Sequence, residues 1–167
     1  MRTIEIDRLW NGDPALPGER VRLQLDETDH LLDVRIDAPL HGDPAPGTPP
    51  GRCDGLWDFE VVELFLVGPG DRYLELEFGP GGHWLALELN GVRRIAHHDV
   101  PITYSVTHEG AGWCGRASIA RGRLPDPILS WNAFAIHGSG DRRRYLAASP
   151  VPGDEPDFHR IDAFPKY

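Results

Sequence analysis

A chain of 167 residues with 40% hydrophobic side chains, including 5 Trp, 4 Tyr and 6 Phe, has the material for one packed domain, and its composition excludes wholesale disorder. Acids outnumber bases 26 to 17, and the net charge of −9 works against non-specific binding to nucleic acid or an anionic membrane, because both require neutralising phosphate. The 16 prolines and 19 glycines interrupt the chain too often for long helices and suit short strands joined by turns.

The dominant pattern is alternation with period two, the mark of strands with one core face and one wet face. A first strand is predicted over Thr3–Leu9. Val21, Leu23 and Leu25 then alternate with Arg22, Gln24 and Asp26, and Leu32, Val34 and Ile36 with Asp33, Arg35 and Asp37. The Pro/Gly-rich stretch Leu40–Gly55 cannot supply a ladder and reads as an ordered excursion beside a sheet. Strands follow over Val61–Val67, over Leu74–Phe78 with Glu75 and Glu77 on the alternate positions, and over Leu85–Leu89 with Ala86 and Glu88. Gly79–Gly82 turns one of these pairs, and Asn90-Gly91 predicts a type I′ hairpin into Val92–Ile95. Ile102–His108, Trp113–Ala120, Asn132–His137 and Tyr145–Ala148 complete the set, with Gly138–Asp141 joining the last pair. About ten short strands at this spacing predict an all-β, antiparallel sandwich in a single domain over residues 1–167.

No G-x-S-x-G, H-E-x-x-H, P-loop or dinucleotide fingerprint stands in a fitting context, so the common catalytic frames are missing. Cys53 and Cys114 have neither CxxC nor zinc spacing and read as ordinary side chains, bridged or free. Acids occupy the N-terminal region where a secretory signal has its apolar core, and no run approaches the ~18 apolar residues of a membrane span. A cytoplasmic location is the expectation.

The informative region runs from Leu56 to Arg94. If Val62, Leu64 and Leu66 point inward, Glu63, Phe65 and Val67 face the other way. The same wet face is predicted to carry Tyr73, Glu75 and Glu77, then Trp84, Ala86, Glu88 and Asn90, with Arg93 just past the hairpin. Aromatic rings among carboxylates and an arginine suit a sugar, whose ring faces stack and whose hydroxyls exchange hydrogen bonds. Outward Glu and Arg also pair across strands with no further role. A calcium ion, which wants six or more oxygens, would draw on Glu63, Glu75 and Glu77. A glycosidase would set two carboxylates ~5–9.5 Å apart. His97-His98 is a poor chelate on a strand, and with Met1 the only methionine a Met/His haem site is excluded while a bis-His one is not. The His159 ring can pair with Asp157 or Asp162 and lock the C-terminal segment, and Arg142–Arg144 reads as a solvated hairpin tip.

The segments Leu56-Trp57, Val62–Leu66 and Tyr73–Trp84, followed by Leu146–Pro150, Pro156–His159 and Asp162–Phe164, resemble the bacterial DOMON-like proteins, relatives of the family-nine carbohydrate-binding modules. The resemblance spans nearly the whole chain and implies an immunoglobulin-like β-sandwich that holds ligands on one sheet or its edge loops. Relatives of that group include sugar binders and haem-binding cytochrome domains. Trp57, Glu63, Glu75, Gly82, Trp84, Arg93 and His159 match the pattern, whereas Glu60-Val61-Val62, Glu77 and Val92 depart from it and thin its polar and aromatic lining.

The leading expectation is a non-catalytic binding module for a small polar molecule, by preference a carbohydrate, using Trp57, Glu63, Glu75, Glu77, Trp84 and Arg93, with Asp157 and His159 structural or beside the ligand. The alternatives are a haem- or metal-binding redox domain and an enzyme working through the Glu cluster. The enzyme would show a closed cleft with strongly shifted carboxylates in place of an open sheet face.

Overall fold

The computed structural model describes residues 1–167 and arranges them as thirteen strands with only short 3-10 turns between them. One sheet has the order β1 (Arg2–Ile6), β3 (Val21–Glu27), β4 (Leu31–Pro39), β11 (Gly112–Ala120), β10 (Ile102–Glu109). The other has the order β2 (Arg8–Leu9), β13 (Arg144–Ala147), β12 (Ser130–His137), β6 (Val61–Val67), β7 (Arg72–Phe78), β8 (His83–Asn90), β5 (Gly51–Arg52), with β9 (Ile95–His97) paired to β8. Every pairing is antiparallel except that of β5 with β8. An antiparallel, immunoglobulin-like β-sandwich is thus the architecture. The predicted strand Thr3–Leu9 is two strands, because the chain breaks at Asp7 and passes from one sheet to the other.

Two apolar layers form, one on each face of the second sheet. Between the sheets, Leu23, Ile36 and Ile119 meet Leu64, Leu76 and Phe78. On the outer face of the second sheet, Phe65, Tyr73, Leu87 and Phe134 are covered by Leu56, Val151, Phe158, Ile161 and Phe164. The cover docks through aromatic rings: Phe158 stacks on Phe134 at 3.9 Å between centroids, and Phe164 meets Phe65 edge-on at 5.9 Å. Such pairs contribute ~0.5–1.5 kcal/mol each beyond the area they bury. Backbone bonds from Val151 to Trp10 (2.9 Å) and from Trp131 to Pro165 (3.1 Å) fix both ends of the covering segment.

The face predicted to be wet is therefore buried, and strands β6 to β8 are covered on both sides. Pairing of Glu77 with Leu85 and of Phe78 with Trp84 also sets the phase of β8. Leu85, Leu87 and Leu89 share the outer face with the glutamates, while Trp84 and Ala86 pack into the layer between the sheets. Residues Leu40–Gly55 are ordered at the sheet edge, as expected, through the short parallel pairing of β5, the Glu60 carboxylate accepting from the His41 amide (3.0 Å), and the His83 ring bonding Thr48 O (2.8 Å). The hairpin after β8 is longer than a two-residue turn: the Asn90 amide donates to Arg94 O (2.8 Å), and Gly91 and Arg93 both take positive φ, 87° and 59°. Cys53 and Cys114 are free thiols. No helix is long and apolar enough to cross a membrane.

Candidate functional site

Beneath the cover the outer face keeps a row of acids. Glu63 on β6 stands opposite Glu77 on β7, and Glu75 is the diagonal neighbour of Glu63. Directly opposed side chains have Cβ atoms ~4.5–5.5 Å apart, so the three carboxyls share one patch. Leu85, Leu87 and Leu89 flank it on the β8 side, with Phe134 and Ile136 on the β12 side. Glu63, Glu75 and Glu77 are 2%, 5% and 0% exposed.

The cover does not fill the space above them. A cleft of about 420 Å³ remains, with Glu63 and Glu75 in its floor together with Leu87 and Leu89. This lies within the ~300–1,000 Å³ typical of small-molecule sites. Its walls bring together the 3-10 turn Leu56–Asp58, the hairpin residues Arg93 and Ile95, the β12–β13 region with Arg143 and Tyr145, and Pro156, Phe158 and His159 of the cover.

Each wall is tied down by a specific contact. Arg143 donates to Trp57 O (2.6 Å) and Asp58 O (3.0 Å), which anchors the turn that presents the 44%-exposed Trp57 ring. On the opposite side the Tyr73 hydroxyl accepts from the Arg93 amide (3.0 Å) and lies 2.7 Å from His159 Nδ1. The arrangement that satisfies every donor has Tyr73 donating to Nδ1, which leaves the imidazole proton on Nε2. Asp157 accepts from Arg93 Nη2 (2.7 Å) and from the His159 amide (3.0 Å). Arg93 has a left-handed backbone that non-glycine residues seldom adopt, and it is held at both ends, by its amide on Tyr73 and its guanidinium on Asp157.

The electrostatics follow from burial. Burial first, and the charge of Glu75 second, push the Glu63 carboxyl well above its ordinary range, against the pull of Arg143. Burial raises Glu75 from 4.5 to about 7, opposed by Arg93. Burial again leads for Glu77, reinforced by Glu63 and Glu75, and both of its oxygens lack any hydrogen-bond partner. Burial, then Arg93, lowers His159 to about 4, so its ring is neutral. Burial raises the Tyr73 hydroxyl to about 12. Near neutral pH the floor therefore retains protons that ordinary carboxyls would have lost, with Glu75 near its midpoint, beside a neutral imidazole and exposed aromatic surface.

Of the residues singled out by sequence, Trp57, Glu63, Glu75, Arg93 and His159 line this one cleft. Asp157 sits just outside and positions two of them. Glu77 lies in the same acid row but not in the cleft lining, and Trp84 belongs to the opposite face of the sheet. The His159 ring bonds Tyr73 in place of Asp157 or Asp162. Arg143 and Arg144 are not a solvated tip: Arg143 holds the Trp57 turn, and Arg144 forms a fork on the buried Glu19 (2.8 and 2.9 Å). The sequence places Tyr73 on this face without assigning it a role and does not mark Arg143, Tyr145 or Phe158 as site residues; Phe158 lies in the Pro156–His159 segment of the resemblance, the one signal that pointed to it.

The acid row does not converge as a metal cage, since no group of three or more His, Cys, Asp or Glu side chains is placed to hold an ion. His41 and His137 stack face to face with centroids 3.6 Å apart, which leaves no room for a porphyrin between them.

No family model matches the chain. Among solved structures, a proposed carbohydrate-binding protein from Bacteroides uniformis superposes with a TM-score of 0.76 at 16% identity, covering 99% of this chain and 85% of that one. A family-nine carbohydrate-binding module from Caldicellulosiruptor kristjanssonii, solved with cellotriose, gives 0.59 at 14% identity over 86% of this chain and 70% of that one. The same kind of module from that organism, solved with glucose, gives 0.52 at 16% identity over 86% and 72%. The fold is thus that of the carbohydrate-binding-module β-sandwiches. By sequence, the chain is 36% identical over 170 residues to the mouse UPF0462 protein C4orf33 homolog, covering 96% of this chain and 88% of that protein. The human and zebrafish proteins are also 36% identical, over 98% and 95% of this chain. The chain belongs to the UPF0462 family.

Proposed function

We propose that this chain is a binding module for a small polar molecule, by preference a carbohydrate, seated over Glu63 and Glu75 with Trp57 against one face. The observation that carries the reading is the pair of carboxyls with no hydrogen bond inside the protein, opening into a cleft of about 420 Å³ beside a half-exposed indole. Unspent donors and acceptors next to an aromatic plane are what a hydroxylated ring requires. The folds that superpose on this one include modules solved with glucose and cellotriose, and the DOMON-like resemblance read from the sequence points to the same ligand class.

Calorimetric titration with glucose and cello-oligosaccharides tests it, using two tryptophan variants. Trp57→Ala is expected to weaken binding at least tenfold with little change in melting temperature, because the ring is exposed. Trp84→Ala is expected to lower the melting temperature and leave affinity within twofold, because that side chain packs between the sheets. Absence of heat with every sugar, or the reverse pattern in the two variants, refutes the assignment.

The enclosure of the cleft and its raised carboxyls also favour a second reading, acid–base catalysis by Glu63 and Glu75. Turnover of a panel of aryl glycosides, lost in Glu75→Gln, would establish it; no turnover by protein that binds sugar would leave binding alone.

A further inference from the structure

We propose that the ligand of this cleft carries a primary ammonium group on its hydroxylated body, so that the favoured class is an amino sugar whose nitrogen sits between Glu63 and Glu75. This rests on the sugar-binding reading of the cleft and narrows it.

The acids of the floor have no cation in hydrogen-bond contact: Arg143 and Arg93 act on Glu63 and Glu75 only at a distance. Glu63 and Glu75 are each more than nine-tenths buried, open into the cleft, and accept nothing from the protein. Behind them Glu77 is fully buried with both oxygens unpartnered. Two arginines reach the cleft, and both are committed. Arg93 pairs with Asp157 at 2.7 Å, and Arg143 directs Nη1 and Nη2 to the carbonyls of Trp57, Asp58 and Gly138, away from the floor carboxyls. His159 is neutral and already bonded to Tyr73. Asp58 adds a further acid to the rim.

A neutral sugar satisfies hydroxyl hydrogen bonds here but leaves the crowding of the acids as it was. An ammonium group brings three donors and a full positive charge to a desolvated place where two carboxyls await partners, and there the attraction is much stronger than in water. It also changes who holds the protons. In the free protein, burial keeps protons on the floor; an arriving ammonium favours the ionised carboxylates and displaces them. Binding of the charged ligand therefore releases protons near pH 7, whereas binding of the uncharged analogue does not. The Trp57 ring and the Tyr145 side chain remain for the body of the sugar.

The test is calorimetric titration of the intact protein at pH 7 with glucosamine and 6-amino-6-deoxyglucose against glucose and N-acetylglucosamine, repeated in buffers of different ionisation enthalpy. At least one amine is expected to bind ten or more times tighter than both neutral sugars, with net proton release that vanishes for glucose. In Glu63→Gln and separately Glu75→Gln, each first checked for a cooperative melt, the preference should shrink toward unity. Glucose binding as tightly as both amines, or no proton release with a tighter amine, overturns this inference and leaves the sugar-binding proposal standing. No binding by any of the four sugars overturns both.

Discussion

Replacing Glu75 by Gln isolates the energetic cost of keeping an ionisable group under the cover. The side chain changes little in size and loses its charge. In the folded protein the Glu75 carboxyl titrates at about 7 against an ordinary 4.5. A folded pKa above the unfolded one means the native state binds more protons between those values, so stability falls as pH rises across the window and levels off above it. At ~1.36 kcal/mol per pH unit, the penalty grows by about 2.5 kcal/mol between pH 5 and pH 8. In a domain of this size that corresponds to a melting shift of about 5–10 °C. His159 and His137, both lowered first by burial, act with the opposite sign at pH values below the ordinary histidine range. They are common to both proteins and cancel in the difference. Removal of the Glu75 charge also relieves Glu63 and Glu77, which adds to the effect. Urea denaturation of wild type and Glu75→Gln at pH 5, 6, 7 and 8 should therefore give a stability difference that moves in favour of the variant by about 2.5 kcal/mol or more between pH 5 and pH 8. Parallel curves would show that Glu75 titrates normally and that the cleft floor is not desolvated.

Two further outcomes follow from single hydrogen-bond hubs. Tyr73→Phe leaves the Arg93 amide and His159 Nδ1 without their shared partner, so it should cost about 1–3 kcal/mol in chemical denaturation and loosen the cover, read as faster amide exchange over Asp157–His159. Glu19→Gln strips a 5%-exposed carboxylate that holds Arg144 through two bonds, His137 at 3.0 Å and the Leu16 amide at 2.6 Å; a loss of about 3 kcal/mol is expected, and less than 1 kcal/mol would mean the cluster is solvated.

The strands were legible because period-two alternation survives wherever one face of a strand meets the core. Val21–Leu25 and Leu32–Ile36 carry it plainly, and both belong to the sheet with a solvated outer face. The same cue misled at β8. Its two faces are both buried, so Leu85-Ala86-Leu87 offers no polar residue to mark the outside, and only the pairing of Glu77 with Leu85 decides which way Trp84 points. The glutamates of β7 read as solvent-facing because a buried carboxyl and an exposed one look alike in sequence. What distinguishes them is the cover from Val151 to Phe164, which arrives from far along the chain. Arg143 was illegible for the same reason, since its partners Trp57 and Asp58 stand 86 and 85 positions away. The cleft residues legible in the sequence lie in the resemblance segments and the local acid pattern; the others join the cleft only through tertiary contacts.

The break at Asp7 has a mechanical consequence. One continuous run of backbone is laced into both sheets, Arg2–Ile6 against Val21–Leu25 and Arg8–Leu9 against Ala147 and Leu146. The sheets cannot slide past one another without tearing a ladder at one end of that run. The strand it grips on the second sheet is the one that carries Tyr145 and follows directly on Arg143. A single stitch of backbone thus joins the far sheet to the strand that forms one wall of the cleft.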